Sequence, residues 1–578
     1  MRRFQMAWES VAVSVMAGTA LVAVLVVWAG AELAAAAAGA AEPAPNPLTF
    51  VDDVLARKFV WVRADTAWTA LVAGAVVALA AVCAAVWAKR SPEHYVDRRA
   101  RHLRRDPVGV RRYVDWKNGP GSATGGPGPE LGVDVVGHKT VRATWECVAV
   151  VVAGARMRKT SQWVMPHVLS APGAVFTTSN KRDVVDYTRA LRSIKGRTWV
   201  FDPQSIYGAE PTWWWNPLDL AADIPGALML AGIFAAATRP IGSTMDSYFD
   251  PEGEALLGFL LLGANRAGLS VRDVYKWVND PRDPSAAKAL MAAEFEMAAA
   301  GVKGTSELPD RQRAGVYGTA KKMVQWVVDD QLARWCSDPG VTRRRFTAAE
   351  FVTSSDTVYG LSREGPGSAG PLTAAFTAAV AQAAERVAAA NPGGRLAVPL
   401  VMVLDEVANV CRWRELPDLY SHYGSRGIFL ESLLQSWSQG VECFGEQGMN
   451  KLWSAANVGL YAGGATETRY LQMLSDLSGE VDLVTQGVSE GRLGTSRSQS
   501  FRRERVFDVA ALGAFPTGRA FVTLSGAPPM VVRARSVWDT DLGDAIRGVV
   551  PATALPEGVR GSKPRRATAP PQPVAAGA

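Results

Sequence analysis

The sequence predicts an α/β nucleotide-binding domain, interrupted by an all-helical insert and preceded by a hairpin of two membrane-length segments. Three observations lead there. Short apolar runs alternate with helical patterns from residue 147 onward, one such run leads into Lys159-Thr160, and another ends in Asp405-Glu406. At 578 residues the chain is too long for one core, so two or three domains are expected.

Composition excludes several classes. Arg outnumbers Lys by 48 to 14, a bias that fits high-GC coding better than any structural demand. The five cysteines, Cys83, Cys147, Cys336, Cys411 and Cys443, have no paired spacing, which argues against a zinc site and for reduced thiols. Five dispersed histidines offer no metal constellation either.

At the N-terminus, residues 11–30 (VAVSVMAGTALVAVLVVWAG) and 68–87 (WTALVAGAVVALAAVCAAVW) carry no charge and are long enough to span a bilayer. A signal peptide is the other reading of the first run, but the second run favours a hairpin. Arg2 and Arg3 precede the first run, and residues 89–112 hold nine basic and three acidic side chains, a net of +6 out of the chain's +7. By the positive-inside rule this places both termini in the cytoplasm of a multi-pass protein of the cell inner or plasma membrane. The basic cluster then reads as a topology signal with headgroup contacts, direct DNA contact being the alternative. The rest of the chain is close to neutral, so nucleic-acid binding there requires a local surface.

Residues 117–130 (KNGPGSATGGPGPE) form a Gly/Pro linker. After it, strands are expected at 147–153, 174–178, 198–201, 397–404, 428–434, 458–462 and 520–524. The unbroken apolar stretch VPLVMVL marks a central strand covered on both faces. Helical patterns at 226–237, 252–263, 285–300 and 310–334 form the insert, and 371–390 is one more helix of the main domain, with Pro371 at its first position. The expected division is 1–113 for the membrane hairpin and basic segment, 114–225 and 346–550 for the two parts of the nucleotide-binding domain, 226–345 for the insert and 551–578 for a disordered Pro/Ala-rich tail.

The stretch ECVAVVVAGARMRKTSQWV reads as strand, turn and helix start. A phosphate loop works because backbone N–H groups at a helix N-terminus wrap the phosphates while a lysine reaches the terminal ones. Gly154, Lys159, Thr160 and Ser161 fit that pattern, with Thr160 the magnesium-binding hydroxyl, but Arg158 stands where glycine is usual, so the loop alone is a weak match. The second motif strengthens it. An aspartate at the end of an apolar strand holds magnesium, here Asp405, and a following glutamate, Glu406, orients the attacking water. Gln435, in QSWSQ after the run GIFLESLL, reads either as a γ-phosphate sensor or as part of a plain polar loop.

In order, the two apolar segments, GARMRKT, APGAVFTTSNKRDVVDYT, WVFDPQ, WNPL, the helical insert, VLDEVANV and QSWSQ resemble the type IV coupling proteins of conjugation systems, the TraD/TraG-like DNA-transfer ATPases. The likeness covers roughly residues 145–540 and the N-terminal segments. It implies a RecA-like motor, a homo-hexameric ring, ATP and Mg2+ as cofactors, and a single-stranded, relaxase-bound DNA as cargo. The relaxase and the proteins of a type IV secretion channel would be its partners. It also implies nucleotide binding by Lys159 and Thr160, a Walker B pair of Asp405 for magnesium and Glu406 for catalysis, Gln435 as sensor, and Arg426 in YGSRGI as an arginine finger acting across a subunit boundary, a simple surface arginine being the other reading. An FtsK-type DNA pump, a protein-secretion ATPase and a non-hydrolysing docking receptor are the competing readings.

Overall fold

The computed structural model describes residues 25–36, isolated positions between 47 and 67, and residues 94–103, 127–239, 245–365, 367–491 and 494–560. The chain forms two units, Met1–His94 and Tyr95–Ala578.

In the first unit a helix occupies residues 25–36 and includes Glu32. No helix among the described residues is long and apolar enough to cross a membrane. This overturns the expectation of a multi-pass membrane protein with both termini cytoplasmic. All of the run 68–87 and most of 11–30 lie outside the described residues, as do most of the basic segment and of the linker.

The second unit is built on one eleven-stranded sheet. Its strands in chain order begin with β1 (Glu130–Asp134), β2 (Thr140–Arg142), β3 (Val148–Val152), β4 (Val175–Ser179) and β5 (Thr198–Phe201). A two-residue pair, β6 (Trp213–Trp214) with β7 (Arg344–Arg345), lies apart from it. Then come β8 (Thr357–Leu361), β9 (Leu400–Leu404), β10 (Ile428–Leu434) and β11 (Val458–Tyr461). A separate hairpin, β12 (Glu480–Gly491) with β13 (Gly494–Arg505), precedes β14 (Arg519–Leu524) and β15 (Ala527–Arg533). The spatial order is β2-β1-β15-β14-β11-β3-β10-β9-β4-β8-β5.

The seven strands from β11 to β5 pair in parallel, and every residue of β3, β4, β8, β9, β10 and β11 is buried. Such strands need helices on both faces, which is why they read as unbroken apolar runs. All seven expected runs are strands of this sheet. Four more were not legible. β8 contains Gly360, β2 is a three-residue edge strand with the five-residue β1 beside it, and β15 carries two prolines near its start.

The insert is helical as expected, with differences. The pattern at 285–300 is two helices, Ser285–Ala292 and Glu296–Ser306, broken where Glu294 takes a left-handed backbone (φ 64°). An additional helix, Val271–Asn279, is closed by a Ser270/Asp273 capping box. The pattern at 310–334 ends as an α-helix at Val324. Residues 551–560 fall within the segment expected to be disordered. Residues 551–560 are ordered because Leu555 packs with Met165, Leu169 and Val537, while Tyr187 donates to the carbonyl of Ala554 (3.2 Å). Residues 561–578 lie outside the described set.

Phe376, on the helix Gly370–Ala390, joins the insert-proximal strands to the sheet. Its ring lies 4.8 Å from Trp215, 4.9 Å from Phe346, 5.3 Å from Phe176 and 5.4 Å from Phe201. Phe376→Ala should therefore cost about 3–5 kcal/mol, read by chemical denaturation, because the four surrounding rings cannot collapse into the space left. A loss below about 1 kcal/mol would show that the cluster does not bind these parts together.

Candidate nucleotide site

Parallel pairing brings the carboxyl ends of β3, β10, β9 and β4 level. Val152 pairs with Leu434, Ser432 with Leu404, and Thr178 with Leu404. Polar residues that directly follow these strands therefore meet along one edge. In parallel α/β sheets this crevice, where strand order reverses, is where ligands bind.

From β3 the chain enters its loop through Gly154, whose N–H donates to the carbonyl of Gly463 (2.9 Å). A Cβ at Gly154 would stand 2.5 Å from the Gly464 carbonyl oxygen, so only glycine lets the two backbones approach this closely. The loop then turns through Arg156 and Arg158, both at φ 62°. The glycine usual before the lysine is thus replaced by an arginine that still adopts the glycine-like backbone. Its side chain is exposed, and its carbonyl accepts from the Gln162 N–H (3.1 Å) and from Ser161 Oγ (3.3 Å). Helical structure begins at Thr160, first as one wide turn, Thr160–Val164, and then as the helix Met165–Ser170.

Lys159 is 8% exposed. Its Nζ donates to the Ala153 carbonyl (2.9 Å) and lies 3.4 Å from Glu406 Oε1. The same Oε1 accepts from Gln435 Nε2 (2.9 Å). Gln435 is held in turn, since its N–H donates to Gln439 Oε1 (3.0 Å), and Gln439 Nε2 donates to Asn409 Oδ1 (2.8 Å). Glu406 sits at φ 55°, the left-handed corner by which the chain leaves β9 for the helix Val407–Val410. That corner turns its carboxylate back toward Lys159.

Asp405 is fully buried beside it. Thr178 Oγ1 donates to the Asp405 carbonyl (3.0 Å), which ties β4 to the motif. Burial raises the Asp405 pKa first, the neighbouring Glu406 charge raises it further and Lys159 pulls it back, leaving it at about 7. Its Oδ1 has no hydrogen-bond partner.

Of the residues named from the sequence, the structure brings together Lys159, Asp405, Glu406 and Gln435, with Gly154, Arg158, Thr160 and Ser161 on the adjoining loop and first helical turn. It does not bring Arg426 to them. Arg426 precedes β10 at its amino end, and β10 itself spans about 23 Å at 3.3 Å per residue. Thr178, Asn409, Gln439 and the Gly463-Gly464 turn were missed. For Gln439 a signal existed, since it lies four residues after Gln435, as did the N-capping Ser436 between them.

No group of three or more His, Cys, Asp or Glu among the described residues forms a metal cage. Magnesium does not require one. It is commonly held by one or two carboxylates, water and substrate phosphates. Asp405, with its unpartnered oxygen, and the Thr160 hydroxyl at the helix start are a donor set that fits it.

A parallel sheet with β10 between the lysine strand and the carboxylate strand, and the polar groups gathered at their carboxyl ends, defines a RecA-like P-loop nucleotide-binding fold. Comparison with known proteins agrees. Residues 399–517 match the family model described as the TraM recognition site of TraD and TraG. The bacterial conjugative coupling protein TrwBdeltaN70, in its unbound monoclinic form, superposes with a TM-score of 0.50 at 17% identity, over 70% of this chain and 88% of that one. Its trigonal form in complex with sulphate gives 0.50 at 16% identity, over 70% and 89%. No curated protein matches the chain by sequence. The resemblance to type IV coupling proteins read from the motif order is thereby borne out.

An acid whose pKa rises on folding is tolerated in its neutral form. The cost of the Asp405 charge is fully present above about pH 7 and fades as pH falls toward the unfolded value near 4. Asp405→Asn should therefore raise Tm, measured with EDTA, at pH 8, and the gain should shrink steadily toward pH 5. An equal gain at both ends would show that charge burial is not its cause.

Proposed function

We propose that this chain is an ATP- and Mg2+-dependent motor of the coupling-protein type, which recruits a relaxase-bound DNA strand and drives it into a type IV secretion channel as a homo-hexamer. The observation that carries the reading is the contact of Lys159, Glu406 and Gln435 beside the unpartnered oxygen of Asp405. The motif order and the match over residues 399–517 support the choice of cargo.

The chemistry follows from the charges. Lys159 and Glu406 neutralise each other across the site. A phosphoryl group entering between them takes the ammonium of Lys159 and leaves the Glu406 carboxylate to accept a proton from water. Gln435, hydrogen-bonded to Glu406 and anchored by Gln439, keeps that carboxylate aimed and feels any shift at the phosphate. Magnesium held by Thr160 and Asp405 would supply charge neutralisation at the phosphates. Steady-state ATP hydrolysis with no DNA, single-stranded DNA and duplex DNA tests the motor. Stimulation by single strands is expected, and a rate indifferent to DNA and no higher than that of the Lys159→Ala protein would leave a docking receptor.

Two substitutions divide binding from turnover. Lys159→Ala removes the phosphate contact and should lower hydrolysis by about 100-fold or more. Glu406→Gln removes the partner that competes for Lys159, so ATP should bind at least as tightly while turnover falls by about 10²–10⁴. A joint loss of affinity and rate in Glu406→Gln would mark Glu406 as structural.

Arg158 supplies a further test. A non-glycine residue at φ 62° costs about 1 kcal/mol relative to glycine. Arg158→Gly should stabilise the fold by about that amount and raise basal hydrolysis, consistent with a slow or assembly-dependent wild type. If hydrolysis falls, the exposed guanidinium contributes to the reaction and backbone strain is not what limits it.

A further inference from the structure

Gln435 is carried on a segment that its own helix does little to hold. It directly follows β10, and the helix Trp437–Ala455 that starts two residues later is broken at Gly445, where φ turns to 74°. Residues 437–444, about two turns, are left to orient it. Of these only Gly440 is buried, and the rest are half-buried or exposed. A helix of two turns is marginal by itself, so something outside it must fix it in place.

That support is a side chain from the turn after β11. Glu467 Oε2 accepts from the Trp437 N–H (3.2 Å), and its Oε1 accepts from both the Ser438 N–H (2.7 Å) and Ser438 Oγ (2.6 Å). The first N–H groups of a helix lack intrahelical partners and its amino end carries partial positive charge, so a carboxylate there satisfies both. Trp437 also stacks on Tyr470, with ring centroids 4.9 Å apart and planes 19° apart. Tyr470 lies in the helix Thr468–Ser478, whose N-cap is Glu467.

The same turn reaches the phosphate loop. The Gly463 carbonyl accepts from the Gly154 N–H, and a Cβ on Gly464 would stand 3.0 Å from Gly154 Cα and 3.1 Å from Met157 Cγ. Its backbone is pinned on both sides, by the Ala462 N–H to the Val152 carbonyl (3.0 Å) and the Leu471 N–H to the Glu467 carbonyl (3.0 Å). Residues 463–467 therefore touch the loop that carries Lys159 at one end and the segment that carries Gln435 at the other. Lys159 and Gln435 both meet Oε1 of Glu406, at 3.4 and 2.9 Å, so this spacing sets the geometry at that oxygen. Reacting groups must be held within about 0.5 Å of their productive places. We propose that Glu467 is a positioning residue for turnover, bracing Gln435 against the phosphate loop, a proposal that rests on the loop and its carboxylates being an ATP site.

The test uses the full-length chain, with steady-state hydrolysis and equilibrium binding of Mg-ATP. Glu467→Ala should lower kcat about tenfold to 100-fold while ATP affinity stays within about twofold, because Lys159 and its loop remain in place. Glu467→Gln, which keeps one acceptor oxygen for Ser438, should turn over at a rate between the two. Ser438→Ala, which leaves the carboxylate and the backbone donors intact, should lower kcat by only about threefold. The deciding comparison is Gln435→Ala against Gln435→Ala with Glu467→Ala. Their rates should be equal, since Glu467 then has nothing left to position, whereas a merely structural residue would add its own loss. Multiplied losses in the double variant, a wild-type rate in Glu467→Ala or in Gln435→Ala, or a joint fall of affinity and kcat in Glu467→Ala overturns the proposal and leaves the ATP site standing. A wild type that neither binds nor hydrolyses ATP removes the site reading, and this one with it.

Discussion

Lys159 and Glu406 face each other across 3.4 Å at the edge of a sheet whose parallel strands are buried. Burying either charge alone would be prohibitive, and burying both is tolerable only with close geometry and further hydrogen bonds. The rest of the site supplies them through the Ala153 carbonyl, Gln435 and, behind Gln435, Gln439 and Asn409. The pairing also dictates topology. The lysine follows β3 and the glutamate follows β9, so β10 must lie between them for the carboxyl end of a third strand to present Gln435 to both. A one-residue slip of β10 would turn Gln435 to the other face, so the unbroken burial of Ile428–Leu434 serves chemistry as much as stability.

Backbone strain at the site follows from the same demand. Arg156, Arg158 and Glu406 all adopt left-handed conformations that glycine takes without cost, and they are three of the six non-glycine residues with positive φ in the described set. At Glu406 the side chain is required and the strain must be borne. At Arg158 no buried contact requires the side chain, which is why that position separates the geometry of the loop from its charge.

Much of this was legible in the sequence. Strands β3, β4, β9, β10 and β11 announce themselves because burial on both faces demands continuous apolar runs, and the carboxylate pair is visible because nothing else explains adjacent charges at the end of VLVMVL-like stretches. What failed to show was of two kinds. The short strands β1 and β2, at one end of the sheet, span five and three residues, too few for a period to register. Residues such as Thr178 and Asn409 act through contacts 227 residues apart or through a single turn, and neither leaves a pattern. The N-terminal reading erred for a different reason. Hydropathy scores length and charge alone, and among the described residues no helix is long and apolar enough to cross a membrane.

The helix after the loop shows how one short segment meets three demands. His167 is fully buried and lies 2.7 Å from Glu431 on β10, with its other nitrogen 3.0 Å from the Glu130 carbonyl. Burial alone would lower its pKa, but the Glu431 carboxylate outweighs that and raises it. The pair therefore fastens the helix to the central strand. Trp163 adds a second fixing point by donating to the Leu131 carbonyl (3.2 Å). With its inner face fastened in this way, the helix cannot rotate to move Thr160 off the loop. Thr160 and the loop ahead of it are thereby held by contacts to β10 and β1 and not by the loop alone.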